Sequence, residues 1–522
     1  MKKFLPDLIA ILAFIILSFA YFFPADIEGR ILFQHDTAAG VGAGQESKEY
    51  LERTGERTRW TNSIFGGMPT YQMSPSYDST TSLKGVEKVY RLFLPDYVVL
   101  TFIMMLGFYI LLRAFGISAW LAGLGGVIWA FSSYFFILIP AGHIWKFVTL
   151  AYIPPTIAGV VLAYRKKYLL GGIVTALFIA LQIQSNHIQM SYYFMFVILF
   201  FVGAYFEDAY KKKELPHFFK ASGVLALAAV VGVCINISNL YHTYEYSKET
   251  MRGKSELKQE GAAASQTSSG LDRDYITNWS YGIGETLTLL VPNVKGGGSG
   301  STMSQSEAAM AKANPMYNGI YSQLPQYFGE QPWTAGPVYV GAFVMFLFVL
   351  GCFIVKGPLK WALLGATIFS ILLSWGKNFM GLTDFFIDYV PMYNKFRAVS
   401  SILVIAEFTI PLLAIFALKE ILSKPDMLKQ EKNCRGVIAA LVLTAGVALI
   451  LAVAPGTFFS SFITTQEMTA LKQALPAEHL APFVANLTEM REAIIASDAW
   501  RSFFIIMIGT AVLWLYGTVS YT

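Results

Sequence analysis

One carboxylate lies just beyond the first long apolar run of the chain. The stretch Ile31-Leu-Phe-Gln-His-Asp-Thr-Ala-Ala-Gly-Val-Gly-Ala-Gly-Gln-Glu46 places Asp36 beside His35 among glycines and alanines. The run from Leu5 to Phe23 is long enough to cross a bilayer, so Asp36 is expected at a membrane surface, in a Gly/Ala-rich turn. An accessible carboxylate there can take a proton from a hydroxyl group. Asp36 is therefore the candidate catalytic base; the alternatives are that it caps a short helix or pairs with an arginine.

Further polar groups lie near the ends of later apolar runs. Ionisable and amide side chains are costly near membrane depth, so each is a functional hypothesis. These groups are His143, Lys146, Gln182, Gln184, Asn186, His187, Gln189, Asn236, Asn239, His242, Lys395, Arg397 and Glu407. If the runs alternate across the membrane, all except Glu407 fall on the face that carries Asp36. This shared depth favours a single site there.

Each of these groups has a structural alternative. His143 and His187 contact a substrate or simply hydrogen-bond between helices. Lys146 and Arg397 bind an anion or snorkel, and anion binding is favoured because they oppose the usual charge bias of that face. Glu407 is expected to be a structural partner inside the helix bundle. No motif in the sequence indicates a particular cofactor. His35, Asp36 and His143 together could hold a divalent metal ion, but no metal-binding spacing motif supports such a site.

The composition indicates an all-α polytopic membrane protein. The chain has 522 residues, of which 55% are hydrophobic and 14% charged, too few charges for a soluble surface of this size. The net charge of +5 does not indicate a nucleic-acid partner, since the basic residues sit in short loops between apolar runs. Cys234, Cys352 and Cys434 fall in or beside predicted spans, so a disulfide framework is not supported.

About twelve transmembrane helices are predicted. The first is Leu5–Phe23, taken as a retained anchor because no small-residue cleavage site follows it. The others are expected at about 97–115, 119–140, 147–164, 168–185, 188–206, 218–236, 336–355, 361–376, 399–418, 436–454 and 501–521.

The lysines and arginines predict the orientation. Lys2-Lys3, Arg113, Arg165 to Lys167, Lys211 to Lys213, Lys356 with Lys360, and the group from Lys419 to Arg435 all fall on one side. The positive-inside rule makes that side the cytoplasm and places both termini there. We therefore expect one integral-membrane domain, residues 1–522, in the bacterial inner (plasma) membrane, with its site facing the periplasm or exterior.

The long loops all fall on the extracytoplasmic side, at 24–96, 237–335 and 455–500, with a shorter one at 377–398. The first loop is expected to carry interfacial helices: the polar stretch Glu46–Trp60 predicts a helix that passes into an aromatic, Met-rich turn, Ile64–Met73, along the membrane interface. The alternative for residues 46–59 is an ordinary solvated helix. Lys295-Gly-Gly-Gly-Ser-Gly-Ser301 lacks the Gly-Lys-Ser/Thr ending of a phosphate-binding loop, so we expect a flexible linker. Nucleophile-elbow, zinc-protease and dinucleotide-binding motifs are also absent, and no internal repeat is seen.

Five short motifs resemble the YfhO family of bacterial membrane proteins, within the GT-C superfamily of integral-membrane glycosyltransferases. They are Phe33-Gln-His-Asp36; Trp60 with Phe65-Gly-Gly-Met-Pro69; Asn186-His187-Ile-Gln189 with Tyr192-Tyr193; Tyr339-Val-Gly341; and Asn394-Lys-Phe-Arg397. The resemblance covers nearly the whole chain. Many members of that family are longer, so a further C-terminal segment is compatible with it.

The resemblance implies sugar transfer from a polyprenyl-phosphate-linked donor to a cell-envelope acceptor on the outer face. Asp36 would be the base of an inverting displacement. Arg397, Lys395 or Lys146 would hold the donor phosphate, and His35, His143, His187, Gln189 and Tyr192 are the candidate substrate-binding residues. Asp36 and Arg397 must then meet at one cavity open to the membrane lipids.

Two other functions compete with this one. A lipid or glycolipid transporter, or flippase, would place charges near mid-membrane, whereas most candidates here lie at the outer boundary. A non-catalytic protein of cell-envelope polymer assembly would bind a lipid-linked sugar without turnover.

Overall fold

The computed structural model describes residues 4–253 and 270–519, which form two compact units. The N-terminal unit contains residues 4–131, 135–253 and Gly270, and the C-terminal unit contains residues 132–134 and 271–519. Lys2 and Lys3, on which part of the predicted orientation rests, lie outside the described residues. So do residues 254–269 of the second predicted loop and the end of the last apolar run.

Helices make up most of the N-terminal unit. In chain order they are α1 (Leu5–Phe22), α2 (His35–Thr54), α3 (Thr81–Tyr90), α4 (Val98–Ala114), α5 (Ala119–Ala130), α6 (Ser133–Ala141), α7 (Ile144–Tyr164), α8 (Tyr168–Gln184), α9 (Ile188–Lys211), α10 (Leu215–Cys234) and α11 (Ile237–Lys248). The first two residues of α6 cluster with the C-terminal unit.

Helix α7 is the buried centre of the N-terminal unit. It packs against α4 and α8, and α8 packs in turn against α10. The contact between α7 and α8 is very close because both helices carry a glycine there: a Cβ atom on Gly159 would lie 2.8 Å from the carbonyl oxygen of Gly171. Small residues let helix backbones approach in this way in membrane proteins.

The first predicted loop folds into α2, α3 and a short hairpin. Helix α2 includes most of the predicted polar helix but begins earlier, at His35, and ends where Gly55 adopts a left-handed conformation. The strands β1 (Trp60–Thr61) and β2 (Met68–Pro69) pair antiparallel. The stretch expected to be an interfacial turn is therefore a hairpin whose loop carries Phe65, Gly66 and Gly67 at positive φ.

The C-terminal unit contains the remaining helices. They are α12 (Arg273–Thr277), α13 (Glu307–Met310), α14 (Asn318–Tyr321), α15 (Ala342–Ile354), α16 (Leu359–Ser374), α17 (Met380–Tyr389), α18 (Val404–Ser423), α19 (Glu431–Leu441), α20 (Val447–Val453), α21 (Thr465–Ala474) and α22 (Ala477–Val519). A π-helical turn at Val442–Gly446 joins α19 to α20.

Helix α18 is the buried centre of this unit. It packs against α15 and α16, while α22 packs against α15 and α20. The predicted loop 455–500 is largely helical, because α22 begins at Ala477, well before the apolar run expected at 501. Arg491 on α22 is fully buried and forms two bonds of 2.6 and 2.7 Å to the carboxylate of Glu467.

The glycine-rich stretch 295–301 is packed, so the prediction of a flexible linker is wrong. Gly296, Gly297 and Gly298 are buried. A Cβ on Gly296 would lie 1.9 Å from the Gln326 carbonyl oxygen, and one on Gly298 would lie 2.6 Å from that of Ala335. The glycines allow the backbone of this segment to lie directly against residues 326–335, an approach that any side chain would block.

Seven helices in the described residues are long and apolar enough to cross a membrane, or up to nine if each of two bent pairs forms one span. The pairs are α5 with α6, bent by 48°, and α16 with the segment ending in α17, bent by 109°. Helices α4, α8 and α15 are apolar but shorter. Every predicted apolar run contains a helix, although residues 336–341 of the run at 336–355 are not helical. This confirms a helical protein with several membrane-length helices. The count of about twelve spans and a GT-C-like arrangement stay predictions.

Candidate functional site

Asp36 lies in the first turn of α2, not in the Gly/Ala-rich turn expected from the sequence. The helix continues through the small residues 37–44 and then through good helix formers, among them Gln45, Glu46 and Lys48, to Thr54. Negatively charged side chains are stabilised in the first turn of a helix, where unpaired backbone N–H groups point outward. His35 is exposed beside it, with Nδ1 3.5 Å from Asp36 Oδ1.

The structure brings Asp36 together with His143, which is far away in the sequence. His143 Nε2 lies 3.0 Å from Asp36 Oδ2, and each side chain is about half exposed. Gly142 makes the approach possible: it has φ +81°, and a Cβ there would lie 2.9 Å from the Thr37 nitrogen. An accessible carboxylate therefore has one oxygen held by a histidine.

Hydrogen bonds behind this pair fix the two segments to each other. The buried Gln34 side chain donates to the carbonyl oxygen of Ile139 at 2.6 Å. The Thr37 hydroxyl donates to Gln34 Oε1 at 3.0 Å. The start of α2 is thus tied to the end of α6, which positions Asp36 at His143.

Two more predicted residues, Lys146 and His187, lie close to His143. Lys146 is buried in the first turn of α7. His187 precedes α9, and its Nδ1 is buried without a partner. Burial, with a smaller contribution from the charges of Lys146 and His143, lowers the pKa of His187 to about 3. His187 is therefore neutral at physiological pH.

Gln189 and Tyr192 lie on the first turns of α9. The Gln189 amide donates to the Tyr193 hydroxyl at 2.9 Å. The partly exposed Tyr192 ring meets the edge of Phe196, with ring centroids 5.4 Å apart. Their predicted contact with a substrate stays a prediction.

Sequence reasoning missed an ion-paired group on α3. Glu87 binds Arg91 at 2.5 Å, and the Tyr152 hydroxyl donates to the same carboxylate oxygen at 2.9 Å. Both charged residues line a cavity that also reaches Ile144 and Trp145, next to His143. The spacing of Glu87 and Arg91 by four residues on an amphipathic helix was the available signal.

The predicted phosphate-binding residues of the C-terminal unit are Lys395 and Arg397. The exposed Arg397 donates to the Tyr275 hydroxyl at 2.6 Å, and its guanidinium lies over the rings of Tyr275 and Trp279 at 5.3 and 5.9 Å. Lys395 is half-buried, and burial lowers its pKa. Arg397 and Asp36 belong to different units, and their convergence on one cavity stays a prediction.

Glu407 is fully buried in the first turn of α18. The Ser132 hydroxyl, which belongs to the same unit, donates to its Oε2 atom. This contact gives Glu407 a structural partner within the helices.

In residues 4–253 and 270–519, no group of three His, Cys, Asp or Glu side chains is arranged to hold a metal ion. A divalent metal at His35, Asp36 and His143 thus has no support in the geometry and stays an untested prediction. No protein-family model, curated protein or solved structure matches the chain. The resemblance to the YfhO family therefore depends on the five sequence motifs alone.

Proposed function

We propose that the protein is a membrane glycosyltransferase that transfers a sugar from a polyprenyl-phosphate-linked donor to an acceptor on the extracytoplasmic face. The observation that carries this proposal is the contact between Asp36 and His143. It places an accessible carboxylate, with one oxygen held at 3.0 Å, at the start of a helix that follows an apolar span.

The proposed reaction is a single displacement with inversion. Asp36 takes the proton of an acceptor hydroxyl through Oδ1 while His143 holds Oδ2. The acceptor oxygen then attacks the anomeric carbon of the donor sugar. The bond from that carbon to the phosphate oxygen breaks, and the lipid phosphate leaves with the electron pair. No covalent enzyme intermediate is required.

The leaving phosphate requires a cation. Arginine suits this role because its planar guanidinium donates several hydrogen bonds to phosphate oxygens. The aromatic rings of Tyr275 and Trp279 hold the Arg397 guanidinium in place, so less conformational entropy would be lost when it binds. Lys395 and Lys146 are the further cations proposed for the donor phosphate.

The location of the reaction follows from the supply of its donor. Nucleotide sugars are cytoplasmic, so an enzyme that works outside needs a donor delivered through the lipid. The predicted orientation, with both termini in the cytoplasm of a bacterial inner-membrane protein, places Asp36 on the outer face.

The test is release of polyprenyl phosphate from a panel of polyprenyl-phosphate sugars by purified protein. Asp36→Asn keeps the shape of the side chain but removes the base, and is expected to lower the rate by about 10²- to 10⁴-fold. Asp78→Asn is the matched control, because Asp78 is an exposed aspartate of the same loop that has no role in the proposed reaction. A correctly folded Asp36→Asn protein with the parent rate would remove Asp36 from the mechanism.

A lipid or glycolipid transporter is the second candidate. Glu407 supports it, because it is an ionisable residue that is fully buried inside the apolar span Val399–Ser423. In proteoliposomes a transporter would move the labelled lipid-linked sugar across the bilayer intact. Movement without release of polyprenyl phosphate would favour the transporter over the glycosyltransferase.

A further inference from the structure

A cavity of ≈ 350 Å³ lies in the N-terminal unit, and Ile144, the residue that follows His143, is part of its lining. Residues of the first loop, from Ser74 to Arg91, form one wall. The other walls come from the start of α7 and from the junctions α8–α9 and α10–α11. Its volume is at the lower end of the range of about 300–1,000 Å³ for small-molecule pockets, so it suits a ligand of one ring.

Carboxamide side chains dominate the polar part of this cavity. Gln184, Asn186, Asn236 and Asn239 all line it. The Asn239 amide donates to Asn186 Oδ1 at 3.2 Å, which orients both groups. Carboxamides offer donors and acceptors without charge, and this suits a neutral ligand that carries several hydroxyl groups.

Two acceptors in the wall are not used by the protein. The Asn236 side chain is 1% exposed and donates to the carbonyl oxygen of Ala180 at 3.0 Å, but its Oδ1 atom has no partner. Gln184 Oε1 is also buried without a partner. A buried acceptor without a donor is costly. Both acceptors belong to side chains that line the cavity, and a small rotation of either side chain would present its oxygen to a ligand that supplies hydroxyl donors.

The remaining lining fits a sugar ring better than an anion. Glu87 neutralises Arg91, which leaves the exposed Lys84 as the one uncompensated charge among the lining residues. Trp145 also lines the cavity. A pyranose has hydroxyl groups at its edge and apolar C–H faces. It can therefore hydrogen-bond to carboxamides and pack against an aromatic ring at the same time.

We propose that this cavity binds one sugar ring of the substrate, with Gln184 and Asn236 accepting hydrogen bonds from its hydroxyl groups. The inference depends on the proposed function only for the source of the sugar, which is either the lipid-linked donor or a glycan acceptor.

The experiment measures binding without turnover. Methyl glycosides of glucose, galactose and N-acetylglucosamine are added to the purified full-length protein, and saturation-transfer difference NMR reports the bound sugar. Gln184→Leu removes an acceptor that has no partner in the protein, so its melting temperature should equal or exceed that of the parent. Its sugar affinity should fall about tenfold, the effect of losing one hydrogen bond of ordinary strength. Gln473→Leu is the matched control, since Gln473 is exposed and does not line the cavity.

A second pair of variants tests the aromatic wall independently of Gln184. Trp145→Phe should retain binding and Trp145→Leu should lose it. Displacement of the methyl glycoside by a polyprenyl-phosphate sugar assigns the cavity to the donor, and displacement by a free oligosaccharide assigns it to the acceptor. Either result supports the proposal.

The proposal is overturned if no glycoside of the panel binds the parent protein, or if binding is unchanged in Gln184→Leu and Trp145→Leu. Water alone would then fill the cavity. Asp36→Asn separates this proposal from the glycosyltransferase itself, because it should keep sugar binding while losing transfer. If the parent protein binds a sugar but shows no transfer, the sugar-binding proposal stands and the glycosyltransferase proposal is wrong.

Discussion

At the scale of single residues, the contact between Asp36 and His143 joins two residues that the sequence placed on one face but could not pair. Depth along a span can be read from hydropathy and charge, because both are local properties. The contact itself depends on Gly142, whose positive φ and missing side chain let residues 142–143 reach the start of α2. Such an approach leaves no periodic signal in the sequence.

His143 should act by holding the Asp36 carboxylate, so the kind of replacement matters. His143→Gln keeps an N–H donor and should retain most of the transfer rate, whereas His143→Leu should lower it about tenfold or more. The pH profile of the rate checks the role: it should shift in His143→Leu and stay close to the parent in His143→Gln. Equal rates and profiles for the two variants would contradict a positioning role.

The neutral state of His187 makes a prediction about stability and pH. Burial lowers its folded-state pKa to about 3, from an ordinary 6.5. The unfolded chain therefore binds a proton that the folded protein excludes as the pH falls below 6.5. The neutral His187 therefore contributes to the free energy of unfolding, and this contribution is fully present above pH 6.5. It is lost as the pH falls towards 3, with a loss of about 2 kcal/mol by pH 5.

His187→Gln removes this titration and should make the melting temperature less dependent on pH between 7 and 5. The measurement is thermal unfolding of parent and variant in the same detergent at both pH values. His479→Gln is the control, because His479 lies in the C-terminal unit and its pH response should match the parent. A pH response that is identical in parent and His187→Gln would mean that His187 does not stay neutral in the folded protein.

At the scale of elements, the predicted extracytoplasmic loops are folded in the parts that the structure describes. Met303, Tyr321, Phe483 and Met490 are all fully buried and pack in one hydrophobic cluster, which joins residues 303–324 to residues 471–494 of the C-terminal unit. The sequence could not show this, because short helices and 3₁₀ turns carry little periodicity. Glycine content is also ambiguous: it is the same in a linker and in a segment that packs backbone to backbone.

Two glycines of one segment test this packing. Gly296→Ala puts a Cβ on the Gln326 carbonyl oxygen at a residue with φ +76°, and should destabilise the protein by about 2 kcal/mol or more. Gly300→Ala is the matched control, since a Cβ there meets nothing within 4 Å. The measurement is the melting temperature of both variants. Equal melting temperatures for the two variants would mean that residues 295–301 are a flexible linker, as the sequence predicted.

At the scale of the whole molecule, hydropathy predicted where helices occur but not how they bend or how far they extend. Each apolar run contains a helix because backbone groups in lipid must be satisfied within the segment. The bend of 109° after α16 and the early start of α22 at Ala477 depend instead on contacts made after the helices form. The buried charges Lys146 and Glu407 were identified from the sequence, because an ionisable residue in an apolar run is rare.

The orientation in the membrane is the prediction on which the lipid-linked donor depends. In a protein with Cys234, Cys352 and Cys434 replaced by serine, single cysteines are introduced as Lys312→Cys and Lys356→Cys. Both lysines are exposed; the sequence places Lys312 in an outer loop and Lys356 in a cytoplasmic one. A membrane-impermeant maleimide added to spheroplasts should label Lys312→Cys at once and Lys356→Cys only after permeabilisation. The reverse pattern would place Asp36 on the cytoplasmic side, where nucleotide sugars are available and a lipid-linked donor is not required.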